Sequence, residues 1–494
     1  MSNQIVEAIN EALSNGYQIH PDALMLLETV KERVSLVDLV TKVIEAKKKV
    51  GDQQLLLLKK DFEEMLPEYL RECGGVRVEE VEPEIEIVKD ISEKVSPPLE
   101  ELEGLQRLFE SRFNKLYSIV KKRPDSHQIR RIESINKGDG ASYKVAGLVL
   151  ERKIKRTHIE LTIDDKSGKA TILVKDPSVI KQAMSIVLDQ FVVVDVDSTE
   201  KGVLFAKSIY SPDIPDRPPN LSKKVVYVIL MSDLHIGSKM FLYEAFERFI
   251  LWLTQYCKED YIAGRIKYLI LGGDVVDGVG VYPNQEDDLE ELNIYQQYRR
   301  AAQLLSKIPK NIQIFIIPGN HDPTRQALPQ PAIPRKYAEP LYQQENITML
   351  GNPSQIRLHG VNILIYHGRS LDDIVATTPN LTFSKPASAM KILLKARHLA
   401  PLYGGRTPIA LEKEDYLVIE EVPDIFHAGH VHTVDIDRYK NTLIVNSGAW
   451  QAQTKYQANM GVTPTPGLLP VVNLATLDML MKDFTKQDYF TFPG

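Results

Sequence analysis

Val225-Val-Tyr-Val-Ile-Leu-Met231 is an unbroken apolar run rich in β-branched residues, and Ser232-Asp233-Leu-His235 follows it directly. The run predicts a buried strand, with Asp233 and His235 two residues apart at its end, so that in extended geometry their side chains share a face. Four further motifs repeat the arrangement: Gly273-Asp274, Gly319-Asn320-His321-Asp322, His367-Gly368 and Gly429-His430-Val-His432, each at or just after an apolar run. One such motif arises easily by chance. Five in series, spaced by about 40 to 65 residues, do not, and that spacing suits one strand plus one crossover helix per step. Together they offer the ligands for a pair of metal ions.

Working outward, Val225–Met231, Tyr268–Leu271, Ile312–Ile317, Val361–Tyr366 and Leu443–Val445 read as apolar strands, with amphipathic helices near Glu244–Tyr256 and Glu290–Ser306. Strands alternating with helices define an α/β layer over residues 222–494. A Pro-rich joint, Pro212 to Pro219, precedes it. Residues 128–215 are β-rich: Tyr143–Leu150, His158–Ile163, Ala170–Val174, Phe191–Val196 and Val203–Tyr210 predict five strands, and a helical stretch near Val179–Ile186 completes the pattern of an OB-type barrel. Residues 99–127 form a connecting helix stopped by Pro124. Residues 73–98 alternate apolar with acidic side chains but carry few large ones, which favours a linker over an edge strand. Residues 1–72 read helical throughout, a small domain suited to docking or to stabilisation. The expected fold is thus multidomain α+β: helical N-terminal domain, OB-type barrel and α/β domain.

Composition narrows the class. The chain has 494 residues, 43% of them apolar, enough for two to four domains with real cores. The basic-then-apolar layout of a signal peptide and any long apolar span are missing, so a cytoplasmic protein with no membrane partner is expected. Only Cys73 and Cys257 occur, far apart, which supports neither a disulfide framework nor a thiolate zinc site. A net charge of −6 argues against a broad basic DNA-binding surface of the chain's own. Arg152, Lys153, Lys155 and Arg156 cluster on one barrel hairpin and are candidates for tracking a phosphate backbone. The barrel's few aromatics, Tyr143, Phe191, Phe205 and Tyr210, favour a structural or docking role instead.

The chemistry follows from donor types. Asp274 can bridge two cations with its two carboxylate oxygens, Asn320 adds a neutral oxygen donor, and His367, His430 and His432 add imidazoles. Mixed Asp, Asn and His donors suit Mn²⁺ first, with Fe and Zn²⁺ as alternatives, whereas an all-oxygen set would favour Mg²⁺ or Ca²⁺. Two such ions about 3.5 to 4 Å apart, sharing a hydroxide, meet the requirement of in-line phosphodiester hydrolysis. An isolated histidine beside a strand is usually a satisfied core residue. His20, His127, His158, His359, His398 and His427 take that reading, but five of the eleven histidines fall inside the motifs.

These motifs resemble those of the calcineurin-like metallophosphoesterases. The resemblance implies that Asp233, His235 and His432 bind a first ion, that Asp274 bridges, and that Asn320, His367 and His430 bind a second. It also implies that His321 is a proton donor or transition-state stabiliser, oriented by Asp322. The surrounding sequence is similar to the small subunit of the archaeal D-family DNA polymerase: His367-Gly-Arg-Ser370-Leu-Asp-Asp, Gly405-Arg-Thr-Pro-Ile-Ala, Val445-Asn-Ser-Gly-Ala-Trp450-Gln and Thr463-Pro-Thr-Pro-Gly. That family implies a 3′-5′ proofreading exonuclease acting on DNA 3′ ends and paired with a large polymerase subunit. Arg369 would hold a phosphate or, alternatively, a structural ion pair. The rival expectations are a scaffold subunit without catalysis, and an endonuclease or phosphatase of the same superfamily.

Overall fold

The computed structural model describes residues 3–30, 35–50, 55–62, 65, 81–95, 100–136, 138–254, 262–459 and 462–486. Cys73 and Cys257 lie outside these residues. The chain divides into two compact units, residues 1–82 with 249–266 and residues 83–248 with 267–494.

In the first unit, helices Asn3–Ser14, Pro21–Val30 and Leu36–Val50 bury Ile5, Ala8, Leu27, Leu39, Val40 and Val43 in a common core. The unit is not helical throughout, however. Strands β1 (Gln18–Ile19) and β2 (Leu56–Leu57) pair in parallel, because the turn after the first helix leaves backbone groups that only a partner strand satisfies.

The second unit carries the rest. Strand β3 (Ile85–Lys89) lies inside the stretch expected as a linker, and it is the alternative, an edge strand, that forms. It pairs antiparallel with β14 (Ser354–Leu358). Side chains fix it there: Lys89 donates to the Tyr416 carbonyl at 2.6 Å, and Asp90 accepts from the Gly351 amide at 2.9 Å. Next comes helix Glu101–Lys121, whose Gly104, Leu108, Arg112, Leu116 and Val120 recur every four residues and form its buried face.

Strands β4 (Ile129–Arg130), β5 (Ser142–Ile154), β6 (Ile159–Asp164), β7 (Lys169–Val174), β8 (Phe191–Ser198) and β9 (Leu204–Tyr210) run in the order β4-β5-β6-β7-β9-β8. A β5–β8 pairing closes the last five into a barrel. Helix Pro177–Met184, capped by Asp176, joins its third and fourth strands. Alternating burial along β6 and β7 fills the interior with Ile159, Leu161, Ile163, Ala170, Ile172 and Val174.

The remaining strands form two six-stranded sheets flanked by helices. One has the order β13-β12-β11-β10-β19-β20, built from β10 (Tyr227–Met231), β11 (Ile266–Leu271), β12 (Gln313–Ile316), β13 (Ile347–Met349), β19 (Leu468–Asn473) and β20 (Met479–Asp483). The other has the order β17-β18-β16-β15-β14-β3, with β15 (Val361–Ile365), β16 (Ile425–Ala428), β17 (Asp435–Tyr439) and β18 (Thr442–Asn446). Strands β11, β12 and β13 are parallel in the first sheet, and β15, β16 and β18 in the second. Strands β11, β15, β16 and β18 are buried along their whole length, as strands with both faces covered are. Among the described residues no helix is long and apolar enough to cross a membrane.

Candidate metal centre

The loops after β10, β11 and β12 in one sheet and after β15 and β16 in the other meet at one place, outside the carboxyl ends of their strands. Asp233 and His235 follow β10, Asp274 follows β11, Asn320 and His321 follow β12, His367 follows β15, and His430 and His432 follow β16. The pleat does not align the first pair, as extended geometry predicts. Asp233, His235, Asp274, His430 and His432 all have left-handed backbone, with φ of 54°, 51°, 50°, 69° and 60°. Each such residue costs of order 1–3 kcal/mol, tolerated when surrounding structure over-determines it, and such conformations cluster at functional sites. Gly319 is required for a different reason: a Cβ there would fall 2.1 Å from Asp274 Oδ1.

The donor atoms converge. Asp233, His235 and His432 form one group with ligand atoms within 4.8 Å of one another; Asp233, Asp274 and His367 form a second; His235, Asp274 and His321 form a third. The Nε2 atoms of His235 and His432 are 3.0 Å apart, and His432 Nε2 is 3.4 Å from Asp233 Oδ1. His367 Nε2 lies 3.0 Å from Asn320 Oδ1 and 3.4 Å from Asp274 Oδ2. Imidazole nitrogens and carboxylate oxygens facing common points, with Asp233 and Asp274 at most 2% exposed, fit divalent cations. His430, also an expected ligand, is in none of the three groups: its ring lies 5.2 Å from that of His367, and its Nε2 lies 3.2 Å from Asp372 Oδ2.

The far side of each ring is also held. His235 Nδ1 donates to Asp277 Oδ1 at 2.8 Å and His367 Nδ1 to the Gly272 carbonyl at 2.9 Å, which leaves each Nε2 for the centre. His432 Nδ1 sits 2.7 Å from the Gln457 amide. Asp277 is hidden in Val275-Val276-Asp277, where nothing in the sequence separates a supporting carboxylate from a loop residue. Asp372, within Ser370-Leu-Asp-Asp, is equally unmarked.

Asp322 does not orient His321. Its Oδ2 accepts from the Gly319 and Val275 amides at 2.9 and 3.3 Å, and its Oδ1 from the Tyr298 hydroxyl at 2.5 Å, so it ties the β11 and β12 loops together. Burial and the nearby Asp274 charge push its carboxyl up to about 6. His321 is oriented by the backbone of Asp277, whose carbonyl accepts from Nδ1 at 2.7 Å.

The other expected contacts divide. Arg369 lines the cleft of about 330 Å³ over the centre and is anchored by Gln326, whose Oε1 accepts at 2.8 Å, rather than by a carboxylate. Arg152 is not available to a phosphate backbone: its guanidinium caps the end of helix Pro177–Met184 by donating to the Met184 carbonyl at 2.9 Å, and it reaches the Thr377 carbonyl at 3.1 Å. Lys153 pairs with Glu151 at 2.8 Å, while Lys155 and Arg156 are exposed.

The electrostatics of the centre favour protonated imidazoles. Burial opposes charge on His235 and His367, yet the Asp277, Asp274 and Asp233 carboxylates around them prevail and hold both imidazoles up to about 9. Two consequences follow with opposite signs. A raised histidine pKa stabilises the metal-free fold fully below the unfolded value of about 6.5, and this is lost as pH rises through about 9. A divalent ion would have to displace the same protons, so the affinity for one is expected to rise with pH up to about 9, by up to about tenfold per unit for each proton displaced. Calorimetry in buffers of different ionisation enthalpy should register proton release at pH 7, and a pH-independent affinity between 6.5 and 8.5 would contradict this picture.

Parallel strands in two sheets, with polar loops meeting at their carboxyl ends, define an α/β domain of two helix-flanked sheets that places a cluster of metal-ligand side chains at one edge. The family model for the B-subunits of DNA polymerases alpha and epsilon matches residues 228–434. The DNA polymerase II small subunit of Archaeoglobus fulgidus is 37% identical over 480 residues, covering 93% of this chain and 94% of the relative. That of Pyrococcus furiosus is 43% identical over 384 residues, covering 76% and 62%. The chain belongs to the family of DNA polymerase II small subunits. It spans 61–63% of the length of the three Pyrococcus relatives. Among solved structures, an archaeal phosphodiesterase is 13% identical, over 52% of this chain and 99% of its own, with a TM-score of 0.27. Vacuolar Protein Sorting 29 from Cryptosporidium parvum is 14% identical, over 52% and 96%, with a TM-score of 0.25. Likenesses this distant carry nothing about function.

Proposed function

We propose that this chain is the nuclease subunit of an archaeal replicative DNA polymerase and removes nucleotides from DNA 3′ ends by metal-dependent phosphodiester hydrolysis, paired with a large polymerase subunit. What supports the reading most is the convergence of buried Asp233, His235, Asp274, His367 and His432 in a chain of this family. A subunit kept only as a scaffold gains nothing from crowding carboxylates and imidazoles in a buried place, where each ion costs several kcal/mol to desolvate. Two divalent ions, manganese first, would be held by Asp233, His235 and His432 on one side and by Asn320 and His367 on the other, with Asp274 between. When bound they supply Lewis-acid activation of water and of the phosphoryl oxygens.

The chain's own residues do the rest. His321 gives its Nδ1 hydrogen to a carbonyl, which can only accept, so Nε2 is the ring atom left for the departing 3′ oxygen. Its ring stands edge-on to that of His235, with centroids 4.6 Å apart, and this fixes its tilt over the centre. Arg369, anchored through one nitrogen, keeps further N–H groups for a phosphate of the incoming strand. The net charge of −6 implies that much of the basic track for the duplex comes from the large subunit.

His321→Ala should lower the single-turnover rate on a 3′-labelled primer by about 10²- to 10⁴-fold with manganese binding intact. An unchanged rate removes His321 from the mechanism. The scaffold alternative predicts purified chain with less than one ion bound at saturating manganese.

A further inference from the structure

His427 reads from the sequence as a satisfied core histidine, yet it ends a line of buried polar atoms that leads to the metal centre. His427 Nε2 lies 2.9 Å from Ser447 Oγ, which lies 2.7 Å from Ser232 Oγ, and Ser232 in turn bonds Asp233 Oδ2. All four residues are at most 1% exposed. Hydrogen counting sets the direction of this line. A carboxylate only accepts, so Ser232 donates to Asp233. Having one hydrogen, Ser232 must then accept from Ser447, and Ser447, its own hydrogen spent, must accept from the imidazole N–H. The Ala428 carbonyl, at 3.3 Å, is the more distant competitor for the Ser447 hydrogen.

The imidazole satisfies this scheme independently. With its hydrogen on Nε2, its Nδ1 is a bare lone pair, and Nδ1 has no hydrogen-bond partner. The opposite tautomer would bury an orphaned N–H, which is rarer and costlier than an unused acceptor. Burial also holds the ring neutral, pushing it down to about 3.

The consequence falls on Asp233. Its Oδ2 accepts from Ser232 and, at 3.0 Å, from the His430 amide, which lies farther from Oδ1 at 3.2 Å, and Oδ1 faces His432 Nε2 at 3.4 Å. The fit is tight: a Cβ on Gly429 would fall 2.4 Å from Ser232 Oγ and 2.5 Å from Asp233 Oδ2. We infer that His427, Ser447 and Ser232 form a directed hydrogen-bond relay that positions Asp233 as a single-oxygen ligand, making His427 and Ser447 positioning residues of the centre. This rests on reading the centre as metal-binding.

The test uses the full chain. Manganese titration by calorimetry should give an affinity about 10- to 100-fold weaker for Ser447→Ala and for His427→Leu. The double variant should be no worse than the weaker single one, because both break the same line, and His427→Gln, whose amide can still donate to Ser447, should stay within a few-fold of wild type. Nitrogen-15 spectra of the histidine-labelled, metal-free wild type should show His427 as the Nε2–H tautomer. Wild-type affinity in both Ser447→Ala and His427→Leu, or an Nδ1–H tautomer, overturns the relay. A wild-type chain that takes up no manganese overturns the metal reading itself, and the relay's role with it, while the tautomer still reports whether the line of hydrogen bonds exists.

Discussion

Asp274→Ala is expected to abolish phosphodiester hydrolysis, lowering the rate by about 10³-fold or more. Asp274 Oδ2 lies 3.4 Å from His367 Nε2 and 3.7 Å from His235 Nε2, so this one carboxylate serves both sides of the centre. Its Oδ1 meanwhile accepts from the His321 amide at 2.8 Å, which holds the loop carrying the proposed acid. Burial disfavours its charge, but the surrounding histidines keep it ionised far below the usual carboxylate range, as a bridging ligand requires. If Asp274 holds both ions, its loss would forfeit several kcal/mol of the charge stabilisation they supply, and about 4 kcal/mol is a thousandfold in rate. Metal analysis should show fewer ions per chain than wild type under the same conditions. Retained activity in manganese would remove Asp274 from its assigned place.

The second large effect concerns the join between helix Glu101–Lys121 and the two-sheet α/β domain. Arg112, wholly buried, donates from Nε to Asp415 Oδ2 at 2.7 Å and from a terminal nitrogen to the Pro401 carbonyl at 2.5 Å. His398 Nδ1 accepts from the Ala400 amide, so its Nε2 carries the hydrogen and donates to the same carboxylate oxygen at 2.8 Å. Burial and the Arg112 charge push His398 down to about 4, which keeps it neutral and leaves Arg112 as the counter-charge. Arg112→Ala strands a buried carboxylate, and removing one partner of a buried pair costs about 3–5 kcal/mol. Unfolding by denaturant, followed on the helix and barrel, should show this loss. Arg112→Met with Asp415→Leu should recover part of it, because no charge is left alone, while the His398 and Leu417 N–H groups lose their acceptor. Equal damage in the single and double variants would mean that packing, rather than the ion pair, carries the join.

Much of this is legible in the sequence, for a physical reason. Strands buried on both faces announce themselves as runs such as Val225–Met231, and polar residues directly after such runs have little structural reason to be there. The barrel strands alternate clearly enough to be read singly. Strand β3 reads as a linker before it reads as a strand, since its acidic alternation says nothing of the β14 edge some 270 residues away in sequence that satisfies it. Strands β14 and β17 are short and polar, Ser354-Gln-Ile-Arg-Leu and Asp435-Ile-Asp-Arg-Tyr, and exist because a neighbour pairs with them. At the centre the donor types are readable but not their supports. Asp277, Asp372 and Ser447 acquire meaning only through partners that are distant in sequence, and the left-handed backbone at Asp233 and His235 has no glycine to signal it.

Shortening of DNA from its 3′ end at the Asp274 centre is the activity proposed for this chain. The most direct measurement follows a 5′-labelled, 3′-mismatched primer with manganese, using the chain co-purified with its large subunit and, in parallel, an Asp274→Ala complex. The expected result is a ladder shortening one nucleotide at a time, release of nucleoside monophosphates, no cutting of circular DNA, and loss of the ladder in the variant. Internal cuts in a circle, or an unchanged ladder with Asp274→Ala, would contradict it.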